Sequence, residues 1–209
     1  MSTITPIEPM VQAPDLGWVP SPQSLYRLSI EQYERMVASG VFTKRDRLHL
    51  INGFLVAKMT EDPLHSAVSE AIRLAIQPLL PVGWHVRPDK PLRIPNYASV
   101  PEPDLVIARG SCWDYQERHP EPANVALVVE VASSSLSEDR GMADIYGTGG
   151  VPVYWIVNLV DRQVEVHTDP GPGGYGTRQI LKPGQEVSVV VDGVERGRIA
   201  VVDIMPRRP

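Results

Sequence analysis

Apolar and polar positions along this chain fall into short periodic segments after an opening stretch that has no period. Residues 1–24 hold Pro6, Pro9, Pro14, Pro20 and Pro22, and proline removes the backbone donor that helices and central strands need, so an extended arm is predicted there. Ser29 stands three residues before Gln32, the spacing of a capping box. Ile30, Tyr33, Met36 and Val37 then recur at helical intervals until Gly40, which predicts a helix over roughly 30–39. Leucine, isoleucine and valine between Arg47 and Met59 flank Asn52-Gly53, a dipeptide suited to the two positive φ angles of a tight turn, so a β-hairpin is predicted. From His65 to Leu80 the positions Val68, Ala71, Ile72, Ala75, Ile76 and Leu79 trace one helical face, with Pro81 and Gly83 marking the stop.

Beyond that helix, proline separates short runs that read as strands of one sheet: Trp84–Arg87, Leu92–Ile94, Leu105–Ala108, Ala126–Ala132 and Val153–Val157. The run Ala126-Leu127-Val128-Val129 does not alternate, which places it at the centre of the sheet with both faces covered. A helix between Glu138 and Thr148 links two strands as a crossover would. After Asp169 glycine and proline dominate (Pro170, Gly171, Pro172, Gly173, Gly174, Gly176). Val187–Val191, Asp192-Gly193 and Arg198–Val202 follow, which predicts a loop and then a terminal hairpin. The fold class expected is α/β (α+β), a mixed central sheet flanked by helices with accessory hairpins.

Composition narrows the function classes. The chain has 209 residues, 43% hydrophobic and 22% charged, enough for one domain with a sizeable core. A formal net charge of -5 argues against a uniformly basic nucleic-acid binder and leaves room for a locally basic cleft. Cys112 is the single cysteine, so neither an intramolecular disulfide nor a cysteine-based zinc site is available, and a reducing compartment is expected. With no signal-peptide pattern and no apolar stretch near the roughly 18 residues that span a bilayer, a cytoplasmic protein without membrane partners is expected.

Two carboxylates are the candidates to carry chemistry. Asp104 follows Pro103 at the head of one predicted strand, and Glu130 sits near the end of the apolar strand at the sheet centre. Burying an ionised carboxylate without a partner is costly, and one hard divalent ion removes the penalty for both. If the strands are neighbours, Asp104, Glu130 and the main-chain carbonyl of Val131 converge on Mg2+, with waters completing the shell and Mn2+ as an alternative ion. The plainer alternative has Asp104 capping a turn and Glu130 paired with an arginine.

Five ordered stretches bear on that choice: Ile51-Asn52-Gly53; Met59 followed by His65; Pro101-Glu102-Pro103-Asp104-Leu105; Val129-Glu130-Val131-Ala132-Ser133; and Gly150-Val151-Pro152-Val153-Tyr154-Trp155-Ile156-Val157. Over residues 25–168 the sequence resembles the Uma-two family of restriction endonuclease-like proteins, a branch of the PD-(D/E)XK nuclease superfamily. The resemblance implies a restriction-endonuclease-like domain over 25–168, between the arm of 1–24 and a Gly/Pro loop with C-terminal hairpin over 169–209. It also implies Mg2+-dependent cleavage of nucleic-acid phosphodiesters; DNA is the expected substrate, no organic cofactor is expected, and a homodimer is expected because two sites related by a twofold axis most easily cut both strands of a duplex. Asp104 and Glu130 fall on the two metal ligands.

The family's lysine is missing. Two residues after the glutamate stands Ala132, and the slot on the following helix, set by Asp139, Tyr146 and Gly150-Val151, falls on Met142 or Ala143. Arg140 is the nearest cation in sequence and is the candidate to stabilise charge in its place, while Lys58 and Lys90 on other strands can also reach in. Relatives commonly carry a glutamate where this chain has His49, just before the Ile-Asn-Gly turn. His65 matches a frequent family histidine, either as a phosphate contact or as a helix-capping residue, and Glu102 is an outer-ligand candidate or a solvent-facing side chain.

Other conspicuous residues have simpler readings. Tyr154 and Trp155 are expected in the core rather than stacked on a base. Cys112 is an incidental thiol of the long loop Arg109–Asn124, which also carries Trp113, Tyr115, Arg118 and His119 and is a candidate flap over the site or dimer contact. Two functions of different class therefore stand: an active metal-dependent DNA endonuclease, or a catalytically degenerate nuclease-fold protein that binds nucleic acid or protein because the lysine is gone. A ligand-binding or structural protein is a third.

Overall fold

In the computed structural model, which describes residues 21–42, 46–58 and 62–207, the hydrophobic runs assemble on one six-stranded sheet. Most of the expected arm lies outside those residues, as does Met59; of the arm's last residues, Pro22–Ser24 form a single 3-10 turn.

Local signals set the first elements. Helix α1 (Ile30–Ala38) begins at the capping box: the Ser29 side chain accepts from the Gln32 N–H, and the Gln32 side chain accepts from the Ser29 N–H. Strands β1 (Leu48–Ile51) and β2 (Phe54–Ala57) form the hairpin, with Asn52 at φ 50° and Gly53 at φ 79°. A side chain at Gly53 would meet the Arg27 Cβ at 2.7 Å, so glycine is required by space as well as by angle. Helix α2 (Pro63–Ile76) starts at Asp62, whose carboxylate accepts from the His65 N–H at 2.8 Å. It ends earlier than the predicted Leu80, because Pro78 cannot donate to the next turn; Gln77–Leu79 tighten into a 3-10 turn instead.

The sheet runs β3 (Trp84–Pro88), β4 (Leu105–Arg109), β5 (Val125–Ala132), β6 (Tyr154–Asn158), β7 (Gln163–Gly171), β8 (Gly174–Leu181) in spatial order. Only β5 and β6 are parallel, and helix α3 (Leu136–Gly149) makes the crossover between them. As predicted, the apolar run of β5 is buried on both faces. Two expectations fail. Leu92–Ile94 is no strand, since Pro91 and Pro95 bracket it, and only Ile94 bridges to Ser99. The Gly/Pro stretch after Asp169 is the tip of the β7–β8 hairpin rather than a free loop. Val164 and Val166 face the core while Glu165 and His167 take the opposite side, an alternation hidden by polar residues.

Two cores result. One face of the sheet packs against α2 and the terminal hairpin β9 (Glu186–Val191) and β10 (Val194–Ala200), with Trp155 fully enclosed. The other packs against α3, with Tyr154 and Tyr146 fully enclosed, so both strand aromatics are core residues as expected. Val106, Val128 and Ile156 share this second face. By the period of two, so do Asp104 and Glu130. A third small cluster of Ile30, Tyr33, Leu50 and Val100 ties α1 and the β1–β2 hairpin to the body, and Val100 donates to the Leu50 carbonyl at 2.7 Å. That anchor holds the hairpin beside the start of β4.

Candidate functional site

Where β4 begins and β5 ends, on the α3 face, lies a cavity of about 410 Å³. Its floor is Asp104, Glu130 and Val131; the hairpin contributes His49, Ile51, Val56 and Lys58; α2 contributes His65, and α3 contributes Asp139 and Met142. The Leu105–Val129 register carries Asp104 opposite Glu130, so the two strand-end carboxylates converge. They are stitched together through the backbone: the Asp104 N–H donates to Glu130 Oε2 at 3.1 Å, and the Val131 N–H donates to Asp104 Oδ2 at 2.6 Å. Tyr146 donates its hydroxyl to Glu130 Oε1 at 2.8 Å, and His65 Nε2 lies 3.0 Å from Asp104 Oδ1.

The electrostatics are those of crowded acids. Burial, then the negative charge of Asp104 and Asp139, pushes the Glu130 carboxyl well above its usual range. Burial also raises Asp139, to about 6, against the pull of the Ser135 hydroxyl, which donates to it at 2.6 Å. His49 is driven the other way, to about 4, by burial and by Lys58, so it is neutral at pH 7.

These donors suit a hard divalent cation. Each of the two carboxylates keeps acceptor capacity beyond its hydrogen bonds, and a cation relieves the repulsion that raises Glu130. The Val131 carbonyl is on the same side of its strand as its N–H, the side of β4. Continuing the register sets Pro103 opposite Val131, and proline has no N–H to offer that carbonyl. Among the described residues no group of three or more His, Cys, Asp or Glu side chains is gathered as a metal cage. Mg2+ does not require one, since it commonly binds through one or two carboxylates and keeps several waters.

The expected cations are sorted by position. Arg140 is not on the cavity; it is directed to β7, where its guanidinium donates to Glu165 at 2.6 Å and 3.1 Å. Glu165 is fully buried, yet hydrogen bonds from Arg140, Asn158 and Gln163 and the charge of Arg178 outweigh burial and hold it at about 2. Lys90 is exposed and donates to the Asp89 carbonyl. Lys58 does line the cavity, with Nζ 3.3 Å from the Glu102 carbonyl and 3.4 Å from Asp89. Among the described residues it is the cavity's only lysine or arginine. Of the two positions for the missing lysine, Met142 faces the cavity and Ala143 is in the core.

Glu102 also lines the cavity. Asp139 and Tyr146 carry more of the site than sequence reasoning assigned them, having served there only as landmarks. An acidic residue in the first turn of a helix that follows Glu130 was the available signal. The loop expected as a flap is elsewhere: no residue of 109–124 lines this cavity.

Comparison with known proteins agrees with this architecture. The sequence model of the Uma2 family, described as "Putative restriction endonuclease", matches residues 30–201. A crystal structure of a "putative nuclease belonging to DUF820" from Anabaena variabilis superposes with a TM-score of 0.62 at 13% identity, covering 85% of this chain and 97% of that one. At that identity the likeness bears on the fold. No curated protein matches the sequence.

Proposed function

The chain belongs to the Uma2 family of restriction endonuclease-like proteins, and from that premise we propose that it hydrolyses DNA phosphodiester bonds with a divalent metal ion, Mg2+ or Mn2+, held by Asp104 and Glu130. The observation that carries this reading is the convergence of these two strand-end carboxylates on one cavity floor. When bound there, the ion supplies Lewis acidity toward the phosphoryl group and lowers the pKa of a water.

The chain's own residues do the rest. Asp104 is oriented by the Val131 amide and by His65, and Glu130 by the Tyr146 hydroxyl and the Asp104 amide. Such fixed partners preorganise the ligands, so little reorganisation is needed at the moment of reaction. Lys58 takes the part of the absent helix lysine: its ammonium, held at the cavity wall by Glu102 and Asp89, stabilises charge that develops on the phosphoryl oxygens. The Val131 carbonyl serves as a further metal ligand. A homodimer belongs to the same reading, since a twofold axis presents one site to each strand of a duplex.

Duplex DNA and duplex RNA incubated in parallel with Mg2+ or with EDTA test the proposal. Metal-dependent loss of the DNA is the expected result. Cleavage that survives EDTA, or cleavage of RNA alone, overturns it.

A further inference from the structure

Helix α2 is apolar over more than the face it buries. Its core side is Val68, Ile72 and Ile76, packed on the sheet together with Ala75. Beside that face runs a second apolar row, Leu64, Ala67, Ala71 and Leu74, whose spacings of three, four and three residues place all four on one stripe of the helix surface. Leu64 is 47% exposed and Leu74 59%; Ala67 is exposed, Ala71 is partly exposed, and none of the four belongs to a core cluster. The polar residues of α2 keep to the remaining side, where Glu70 and Arg73 pair with each other at 2.7 Å. A single exposed leucine needs no explanation, but a continuous apolar row along a helix marks a contact surface.

The row reads the same in both directions. Leu64 and Leu74 are equally far from position 69, and so are Ala67 and Ala71. A second copy of α2 laid antiparallel across a twofold axis at that position therefore sets Leu64 against the partner's Leu74 and Ala67 against the partner's Ala71. That is the condition for an isologous contact, in which residue i meets j and j meets i. Alanines at the crossing let the helix axes approach to about 8 Å, and the leucines fill the space on either side. No charge lies in the row, so two copies meet along it without like-charge repulsion.

We propose that this stripe of α2 is the surface through which two copies of the chain associate. A row about 15 Å long on one helix covers well under the about 800 Å² per partner of a standard interface, so the dimer is weak, with a Kd in the micromolar range or above. The stripe abuts the carboxylate cavity, since Asp62 and His65, close to Leu64 in sequence, both line it. In the antiparallel pair the two His65 backbones stand about 15 Å apart, from about 6 Å of helix rise on each side of the axis and about 9 Å between helices. Both cavities then lie within one turn of a single duplex, about 34 Å. Only that use of the dimer rests on the nuclease reading; the surface itself does not.

Sedimentation velocity of the full chain, without metal or nucleic acid, from about 1 μM to about 1 mM tests this. The parent should dimerise as concentration rises. Association should weaken about tenfold or more in Leu74→Glu, a position outside the core and the cavity, and likewise in Leu64→Lys, with circular dichroism and an unchanged melting temperature showing that each variant is folded. An equal mixture of the two variants should dimerise again, because the antiparallel register sets the introduced acid against the introduced base and leaves the other leucine pair intact; added salt should weaken this mixed dimer more than the parent's. A parent that is monomeric throughout, which would leave the stripe to the arm of 1–20 or to a different protein, overturns the proposal. So does a dimer that Leu74→Glu leaves intact, or a mixture that stays monomeric. None of these readouts depends on cleavage, so a chain that fails to cut DNA and a chain that fails to dimerise are told apart.

Discussion

Lys58 and Met142 both line the carboxylate cavity, one from the hairpin and one from α3, and between them they pose the sharpest question at the scale of single residues. If Lys58 supplies the transition-state charge, Lys58→Ala lowers cleavage by about 10²–10³-fold, the range for losing one preorganised donor. Lys58→Arg retains part of the rate, because the charge survives with a different geometry. Met142→Lys, which restores an ammonium at the family's position, should rescue Lys58→Ala. Rates in the three variants, each verified as folded by circular dichroism, decide this; an undiminished Lys58→Ala would remove the lysine from the reaction.

The pH dependence follows from the same cluster. Asp139 titrates near 6 in the folded chain against an unfolded value of 3.8, and Glu130 moves in the same direction. The folded state therefore holds more protons between those values. The contribution of Asp139 is present below about pH 4 and lost as the pH rises to about 6. Metal-free Asp139→Asn should consequently be more stable than the parent at neutral pH, by about 1–3 kcal/mol, in urea unfolding. Stabilisation by Mg2+ should grow over the same interval, because the ion competes with those protons.

At the scale of elements, the β1–β2 hairpin is what brings His49 and Lys58 to the cavity, and its turn depends on Gly53. A side chain there would meet Arg27 at 2.7 Å in a backbone of φ 79°. Gly53→Val should cost about 2 kcal/mol or more and lower activity through the displaced hairpin, read as a lower melting temperature together with a lower rate. Arg140 should behave oppositely. Arg140→Ala removes one of two arginines from buried Glu165, so it should lower stability by about 1–3 kcal/mol and leave the folded fraction's rate intact. The Ser29 capping box, the Asn52-Gly53 turn, the apolar face of α2 and the unbroken run of β5 were legible because each is a local pattern. The β7–β8 hairpin was not: Glu165 is tolerated inside the sheet only because arginines from α3 and β8 reach it. The convergence of Asp104 with Glu130 was readable from carboxylates at strand ends. Lys58 was underweighted because its approach depends on how the hairpin docks, through Val100 and Leu50, and nothing local encodes that.

For the whole molecule, two helix-covered faces enclose the sheet and leave the carboxylate cavity at one end of its strands, where α2, α3 and the β1–β2 hairpin meet. No helix among the described residues is long and apolar enough to cross a membrane. On the proposed reading, a net charge of -5 requires that attraction to DNA be local rather than global, and a metal ion among the carboxylates would be the most direct way to reverse the sign there. If the proposed reading holds for both strands of a duplex, sedimentation of the full chain should show a dimer; a monomer that only nicks would restrict the reading to one strand at a time. The most direct measurement is nicking of supercoiled plasmid with Mg2+ or Mn2+ by the parent, Asp104→Ala and Glu130→Ala, purified side by side. Metal-dependent cleavage by the parent that both substitutions abolish is the result expected from a metal-holding pair. A folded parent that leaves the plasmid intact, or variants that cut as well as the parent, would contradict it.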